Sequence, residues 1–204
     1  MSKEITDSYW VPSSNLSVSI EVKKSRFICH LAQASTLKEA KDFIAEISTQ
    51  FSDATHNCWA FQTEAPGSTR TIGCSDDGEP SGTAGKPMLN ILVHADVGEL
   101  VAVVTRYYGG IKLGTGGLSR AYSESVKAAL SELKVCKKVN WLFATLSFDY
   151  AEQSQIEKTL KDNAVEIINS QFDDKVTFDI RYGANHLQEL NRALSNISQG
   201  RLSI

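Results

Sequence analysis

Two short segments hold most of the residues in this chain that could do chemistry. The first is SDDGEPSGTAGKP at 75–87, and the second is RYYGGIKLGTGG at 106–117. Both mix glycines with charged side chains, and the second also carries paired tyrosines. Glycine costs backbone entropy, so it is expected where a positive φ or a close backbone approach is required. We therefore predict that the protein binds its ligand at these segments, named here motif 1 and motif 2.

Motif 2 has the parts of an anion-binding site. We predict a strand that ends at Arg106, then a glycine loop, then a helix that begins near Gly117. Backbone N–H groups of such loops and helix starts favour phosphate or carboxylate. Arg106 can bind an oxyanion bidentately, and Lys112 adds a point charge. The loop residues assigned to the site are Gly110, Thr115, Gly116 and Gly117, and its glycines are expected at positive φ or in close backbone contact.

Neither motif matches a known phosphate-binding signature. Motif 2 lacks the third glycine of the dinucleotide fingerprint, because Ser119 stands at that position. Motif 1 is not a Walker A loop, because Pro80 replaces its first glycine and Pro87 replaces its Ser/Thr. A structural loop that needs glycines only for tight turns is therefore an alternative to the anion site.

Motif 1 contributes three carboxylates, from Asp76, Asp77 and Glu79. Clustered carboxylates suit Mg²⁺ or Ca²⁺, although these three lack the spacing of an EF-hand loop. Acidic residues beside glycine and proline also form ordinary turns. We favour a solvated or ion-paired turn, in which a carboxylate pairs with Lys86 or Arg106.

A histidine and two tyrosines complete the candidate residues. His56 and Cys58 share one face of a predicted strand, but two ligands do not make a zinc site, so a partly buried pair is favoured. Tyr107 and Tyr108 follow a predicted central strand. An exposed ring beside Arg106 would stack on a base or meet a protein partner, whereas the alternative packs both rings beneath the loop. No nucleophile with its base is identified.

Hydrophobic periodicity predicts the elements that position these residues. Strands are predicted at 18–22, 26–32, 55–63 and 100–104, helices at 37–51, 83–94 and 118–133, and a loop at 64–82. The run LVAVV at 100–104 is uniformly apolar, which is typical of a central strand covered on both faces. This strand would bring Arg106 to the carboxyl edge of the sheet, where open α/β sheets bind ligands. Lys86 and Lys112 are expected to converge there.

The end of the chain predicts a second domain. Residues 134–140 are polar and basic, so we place the boundary there and predict domains at 1–139 and 140–204. Strands are predicted at 141–148, 165–172, 176–182 and 201–204, and helices at 152–163 and before Gly200. This βαββαβ order is that of a ferredoxin-like unit. The predicted class is therefore α+β, built from α/β layers.

Composition narrows the function classes. The formal net charge of −3 argues against a generally basic nucleic-acid binder, although a local basic patch is compatible with it. No segment predicts a signal peptide or a membrane span. The four cysteines form no C-x-x-C pair, which favours reduced thiols. We expect a cytoplasmic protein with no membrane partner.

The two motifs together resemble the signature of the IMPACT/YigZ family in its bacterial two-domain form. The segments KSRF at 24–27 and DATHNCWA at 53–60 resemble the N-terminal pattern of that family. The resemblance implies a first domain like domain 2 of ribosomal protein S5 and a ferredoxin-like second domain similar to the last domain of elongation factor G. It also implies a connection with nucleic acid or the ribosome, a role of eukaryotic relatives in translational control, and no established catalytic residue.

Two function classes follow. The leading hypothesis is a cytosolic, non-enzymatic binding protein linked to translation, which holds RNA, the ribosome or a protein partner between the two motifs and needs no cofactor. The alternative is an enzyme for a phosphorylated or nucleotide substrate, in which Asp76, Asp77 or Glu79 holds Mg²⁺ beside Arg106 and Lys112.

Overall fold

The computed structural model describes residues 8–139, 141–183 and 186–204. The chain divides into two compact units, one formed by Tyr9–Lys138 and the other containing Val139–Ile204. Each unit packs helices against an antiparallel sheet, so the predicted α+β class is confirmed. The domain boundary after residue 139 stays a prediction.

Residues 8–139 form seven strands and three helices. The strands are β1 (Ser8–Pro12), β2 (Leu16–Val22), β3 (Ser25–Gln33), β4 (His56–Gln62), β5 (Ile72–Ser75), β6 (Leu100–Tyr107) and β7 (Val135–Val139). The helices are α1 (Leu37–Gln50), α2 (Gly85–Val93) and α3 (Thr115–Glu132). The large sheet has the order β2-β3-β6-β4-β5, whereas β1 pairs with β7 in a separate two-stranded sheet.

The central strand β6 is covered on both faces, as its apolar run predicts. Val101 belongs to the cluster that packs under α1, and Ala102 belongs to the cluster under α2 and α3. The premise that ligands bind at a carboxyl edge is wrong, because β6 runs antiparallel to both of its neighbours. An antiparallel sheet has no common carboxyl edge. Arg106, near the end of β6, therefore lies beside the first residues of β3 and β4.

Two segments differ from the prediction. The predicted loop 64–82 contains the short strand β5, which pairs with β4. The predicted boundary segment 134–140 contains β7, which pairs with β1. Both strands are mostly exposed or half-buried, so neither has the alternation of buried apolar residues that a pattern search detects.

The second unit has a three-stranded sheet with the order β8-β10-β9. Its elements are β8 (Trp141–Phe148), a 3₁₀ turn (Tyr150–Glu152), α4 (Gln153–Asp162), β9 (Glu166–Phe172), β10 (Val176–Gly183) and α5 (Leu187–Ser198). The final strand predicted at 201–204 is not formed. The side chain of Asn191 bonds the backbone N–H and C=O of Ile204 instead, at 2.7 and 2.8 Å. Five of the six predicted ferredoxin-like elements are therefore present.

His30 makes the stability of the first unit sensitive to pH. The residue is 4% exposed, its Nδ1 lies 2.8 Å from the Ser17 hydroxyl, and burial lowers its pKa from 6.5 to about 4. The unfolded chain binds a proton at His30 below pH 6.5, whereas the folded chain does not. We expect the free energy of unfolding to fall by roughly 1 kcal/mol between pH 6.5 and 5.5.

Urea titrations at these two pH values, on the wild type and on His30→Gln, measure this difference. The wild type should lose more stability on acidification than the variant. Equal losses in the two proteins would show that His30 can be protonated in the folded state without penalty.

Candidate functional site

Arg106 and His56 meet because they occupy paired positions on adjacent strands. His56 of β4 pairs with Arg106 of β6, and Arg106 also pairs with Phe27 of β3. The three side chains lie in one row on the face covered by α2 and α3, because paired residues on adjacent strands point to the same face. Arg106 is 6% exposed, and its guanidinium lies 5.5 Å from the centre of the Phe27 ring.

Glu79 enters this row from motif 1 and forms a buried ion pair. Its Oε1 accepts hydrogen bonds from Arg106 Nη1 at 2.5 Å and from the Tyr122 hydroxyl at 2.8 Å. Tyr122 is a buried residue of α3, and burial is the main cause that raises its pKa. The pairing of a motif 1 carboxylate with Arg106, favoured from the sequence, is formed here by Glu79. The charge of Arg106 is therefore balanced by Glu79 inside the protein.

The two aspartates of motif 1 bind backbone groups. The Asp76 carboxylate accepts from the N–H groups of Gly82, Ala84 and Gly85 at 2.7–2.9 Å, at the start of α2. Burial opposes its ionisation, but these three donors outweigh it and hold the pKa of Asp76 below its usual value. The Asp77 carboxylate accepts from the N–H of Asn57 at 2.6 Å. These contacts fix the shape of motif 1.

The carboxylates of motif 1 are also candidate ligands for a metal ion. Within residues 8–139, 141–183 and 186–204, no group of three or more His, Cys, Asp and Glu side chains could hold a metal ion. The alternative in which Asp76, Asp77 or Glu79 holds Mg²⁺ therefore has no cluster of three such ligands to support it in this part of the chain. Each of the three carboxylates already accepts hydrogen bonds from the protein.

His56 is held in one orientation. Its Nδ1 lies 2.7 Å from the Asp77 carbonyl oxygen, and a carbonyl can only accept, so Nδ1 is the donor. In the neutral ring Nε2 is then an acceptor. It lies 4.0 Å from Glu79 Oε2, which is too far for a hydrogen bond between them. Cys58 is buried beside this cluster, and burial raises its pKa to about 12, so it is not a ready nucleophile.

A cavity of about 410 Å³ opens between motif 1 and motif 2. Of the residues assigned to the site from the sequence, it is lined by His56, Glu79, Arg106, Tyr108, Lys112 and Thr115. The assigned residues outside its lining are Asp76, Asp77, Lys86, Tyr107, Gly110, Gly116 and Gly117. Of the three cations expected to converge, Arg106 and Lys112 line this cavity and Lys86 does not. Arg106 is already paired with Glu79, so Lys112 is the cation of the three that an anion in the cavity would meet without displacing a protein partner.

The two tyrosines of motif 2 have different surroundings. Tyr107 donates its hydroxyl to Asp53 at 2.9 Å, and the Arg26 guanidinium lies over its ring at 4.6 Å. Tyr108 lines the cavity, is 46% exposed, and lies 5.6 Å from the Arg106 guanidinium. Of the two tyrosines, Tyr108 is therefore the one whose ring can stack on a ligand in the cavity.

The start of α3 at the edge of the cavity has no side-chain cap. Gly114 stands at the N-cap with a φ of 73°, no side chain caps the helix, and its first turn has no acidic residue. Such a start favours an anion, because its N–H groups lack intrahelical partners. The predicted positive φ is confirmed for Gly110, at 86°. Gly116 and Gly117 lie in the first turn of α3 without a positive φ. The prediction of a positive φ or a close backbone contact is wrong for both, because a Cβ at Gly116 would meet nothing within 4 Å and one at Gly117 would meet a side chain, that of Leu113 at 3.1 Å.

Several residues that shape the site were not assigned from the sequence, and three of them illustrate why. Gly109 packs against the backbone at Lys24, and Tyr122 donates to Glu79 from inside α3. Leu113 lines the cavity between Lys112 and the start of the helix. Tyr122 could have been found from its place on the buried face of a predicted helix whose other buried residues are mostly aliphatic. A buried tyrosine hydroxyl needs a hydrogen-bond partner.

No helix of the described ranges is long and apolar enough to cross a membrane.

The Impact N-terminal domain matches residues 23–130, a range that includes both motifs and every residue lining the cavity. A domain of unknown function, DUF1949, matches residues 146–201 of the second unit.

Full-length relatives agree with these domain matches. The IMPACT family member YigZ of Escherichia coli (strain K12) is 40% identical over 198 residues, which are 97% of this chain and 97% of that protein. The IMPACT family member YvyE of Bacillus subtilis (strain 168) is 37% identical over 185 residues, which are 91% of this chain and 84% of that protein. A crystal structure of a protein described as hypothetical is 40% identical, covers 98% of each chain, and superposes with a TM-score of 0.68. The chain therefore belongs to the IMPACT family, as its two motifs predict.

Proposed function

We propose that this protein is a cytosolic binding protein linked to translation, which holds single-stranded RNA in the cavity between motif 1 and motif 2. The observation that carries the proposal is the set of groups around one cavity: the exposed Tyr108 ring, the Lys112 ammonium and the uncapped start of α3. An aromatic ring stacks on a base, and an ammonium beside free helix N–H groups attracts phosphate.

The size and charge of the cavity define what it can hold. At about 410 Å³ it is within the usual range of ligand pockets, roughly 300–1,000 Å³, and suits one nucleotide of a strand. Lys112 lines it, and no ion pair of Lys112 is found in the part of the chain that the structure describes. We expect one strong phosphate contact instead of the three predicted from the sequence. Binding should therefore be weak and salt-dependent, in keeping with a net charge of −3.

The link to translation rests on membership of the IMPACT family. The resemblance of this chain to that family implies a role in translational control. A ribosomal RNA segment is the natural source of single-stranded RNA in that setting. A protein partner that docks on Tyr108 is the alternative if RNA does not bind.

Lys112→Ala should weaken RNA binding and make it less dependent on salt. Loss of one phosphate contact should reduce the log–log salt slope by about 0.7 for a single strand. Fluorescence anisotropy of a labelled single-stranded RNA, titrated at several salt concentrations, measures affinity and slope together. Tyr108→Ala should cost about 1–3 kcal/mol of binding through lost stacking, with the slope unchanged.

Lys41→Ala is the matched control. It removes the same charge from the exposed face of α1, on the opposite side of the sheet from the cavity. Its affinity and slope should equal those of the wild type. The proposal fails if the wild type does not bind RNA at low salt, or if the two lysine variants lose the same affinity.

A further inference from the structure

Glu79 and His56 line one part of the cavity, called its floor below, and each has a hydrogen-bond acceptor for which the described part of the chain supplies no donor. Oε1 of Glu79 already accepts from Arg106 and Tyr122. No hydrogen bond to Oε2 is found among the residues that the structure describes. Nε2 of His56 is the second acceptor, because Nδ1 donates to the Asp77 carbonyl. The two atoms are 4.0 Å apart.

These acceptors restrict which part of a nucleotide can reach the floor. A phosphate or a carbonyl oxygen there would bring its lone pairs against those of Glu79 Oε2 and His56 Nε2, with no proton between them. A group with N–H donors would hydrogen-bond to both atoms. The phosphate therefore belongs at the edge, near Lys112 and the start of α3, and a donor-rich base edge belongs at the floor.

The Watson–Crick edges of the four bases differ in this respect. Guanine carries two adjacent donors, N1–H and the exocyclic N2 amine. Adenine and cytosine each place an acceptor ring nitrogen beside their amine, and uracil places its single N3–H between two carbonyl oxygens. Guanine is therefore the base whose edge can donate to two neighbouring acceptors from adjacent positions. Single-stranded RNA is commonly recognised through such edges.

We propose that Glu79 Oε2 and His56 Nε2 select guanine, by accepting from its N1–H and N2 amine while its ring lies against Tyr108. This inference rests on the proposed RNA-binding function and names the nucleotide that the cavity takes. The Glu79–Arg106–Tyr122 contacts hold the carboxylate in place before the base arrives, so that little ordering is needed on binding. His56 is similarly held by its bond to motif 1.

The guanosine and inosine monophosphates GMP and IMP test this on the wild-type protein. IMP differs from GMP only in lacking the N2 amine, so the pair isolates one donor. Each nucleotide, together with AMP and UMP, is titrated at pH 8 as a competitor of a labelled single-stranded RNA. We expect GMP to compete about tenfold better than IMP, the usual discrimination of a well-formed base contact, and AMP and UMP to compete no better than IMP.

Two variants test whether Glu79 and His56 are responsible for the preference for GMP over IMP. His56→Ala removes one acceptor but leaves the Glu79–Arg106 pair, so the GMP-to-IMP ratio should fall towards one. Lys112→Ala should weaken GMP and IMP equally and leave their ratio unchanged. Glu79→Gln is the more direct change, but it alters a buried ion pair and can unfold the protein, so His56→Ala is the decisive variant.

The outcomes separate the two proposals. Equal competition by GMP and IMP, or a ratio that persists in His56→Ala, overturns guanine selection while RNA binding stands. Failure of RNA and of every nucleotide to bind overturns the proposed function and this inference with it. A GMP preference that His56→Ala removes and Lys112→Ala preserves supports both.

Discussion

Replacing Arg106 by alanine is expected to destabilise the first unit by about 3–5 kcal/mol, the usual effect of removing one partner of a buried ion pair. Glu79 is 7% exposed, and its carboxylate would keep the Tyr122 hydroxyl as a donor but lose the guanidinium 2.5 Å from Oε1. An unpaired carboxylate is unfavourable in this buried place. A urea titration followed by tryptophan fluorescence measures the effect, since Trp59 lies in β4 of the same unit.

Two further proteins serve as controls for Arg106→Ala. Lys112→Ala removes the same charge at the cavity and should change stability by less than about 0.5 kcal/mol. Arg106→Met combined with Glu79→Gln should recover most of the loss, because neither buried group is then charged. A stable Arg106→Ala protein with a shallower salt dependence of RNA binding would contradict the structure and make Arg106 a direct phosphate ligand.

The central strand illustrates what hydrophobic pattern can predict. The apolar residues that begin β6 are buried on both faces, so an uninterrupted run was sufficient to place a covered strand. The same run contains no information about the direction of neighbouring strands. The pairing of His56 with Arg106, from which the cavity is built, could therefore not be predicted from periodicity.

The short strands β5 and β7 could not be predicted, because neither contains a run of buried apolar residues. β5 has four residues, none of them fully buried, and it includes Gly73, so its composition is that of a turn. β7 reads VCKKV and buries none of its side chains fully. Each strand is held by backbone pairing with a partner far away in sequence, β4 in one case and β1 in the other.

The motifs located the candidate site, but the roles of individual charges depend on tertiary contacts. Motif composition was enough to bring Glu79, Tyr108 and Lys112 under consideration, and all three line one cavity. His56, which also lines it, lies outside both motifs and was considered for its place beside Cys58 in a predicted strand. Arg106 was expected to face a ligand, yet it is paired with a carboxylate 27 positions away in the chain. Whether a cation binds a ligand or a neighbour is decided by burial, which residue type and spacing do not reveal.

Gly109→Ala should both destabilise the protein and weaken RNA binding. A Cβ at this position would overlap the carbonyl group of Lys24 and lie 2.5 Å from the backbone nitrogen of Ser25. The loop of motif 2 would have to move away from the β2–β3 turn, and such backbone shifts usually cost about 1–3 kcal/mol. The same movement would displace Tyr108 and Lys112, which flank this part of the loop. Urea titration and RNA anisotropy measure the two effects.

Gly116→Ala in the same motif should behave oppositely. A Cβ there meets no atom within 4 Å, and the residue lies in the first turn of α3. Alanine favours a helix over glycine by up to about 1 kcal/mol and keeps the backbone N–H that an anion would use. Stability should be equal or higher and RNA affinity unchanged. If both glycine variants were tolerated equally, the loop would not depend on its contact with the β2–β3 turn, and the placement of Tyr108 and Lys112 around the cavity would lose its structural basis.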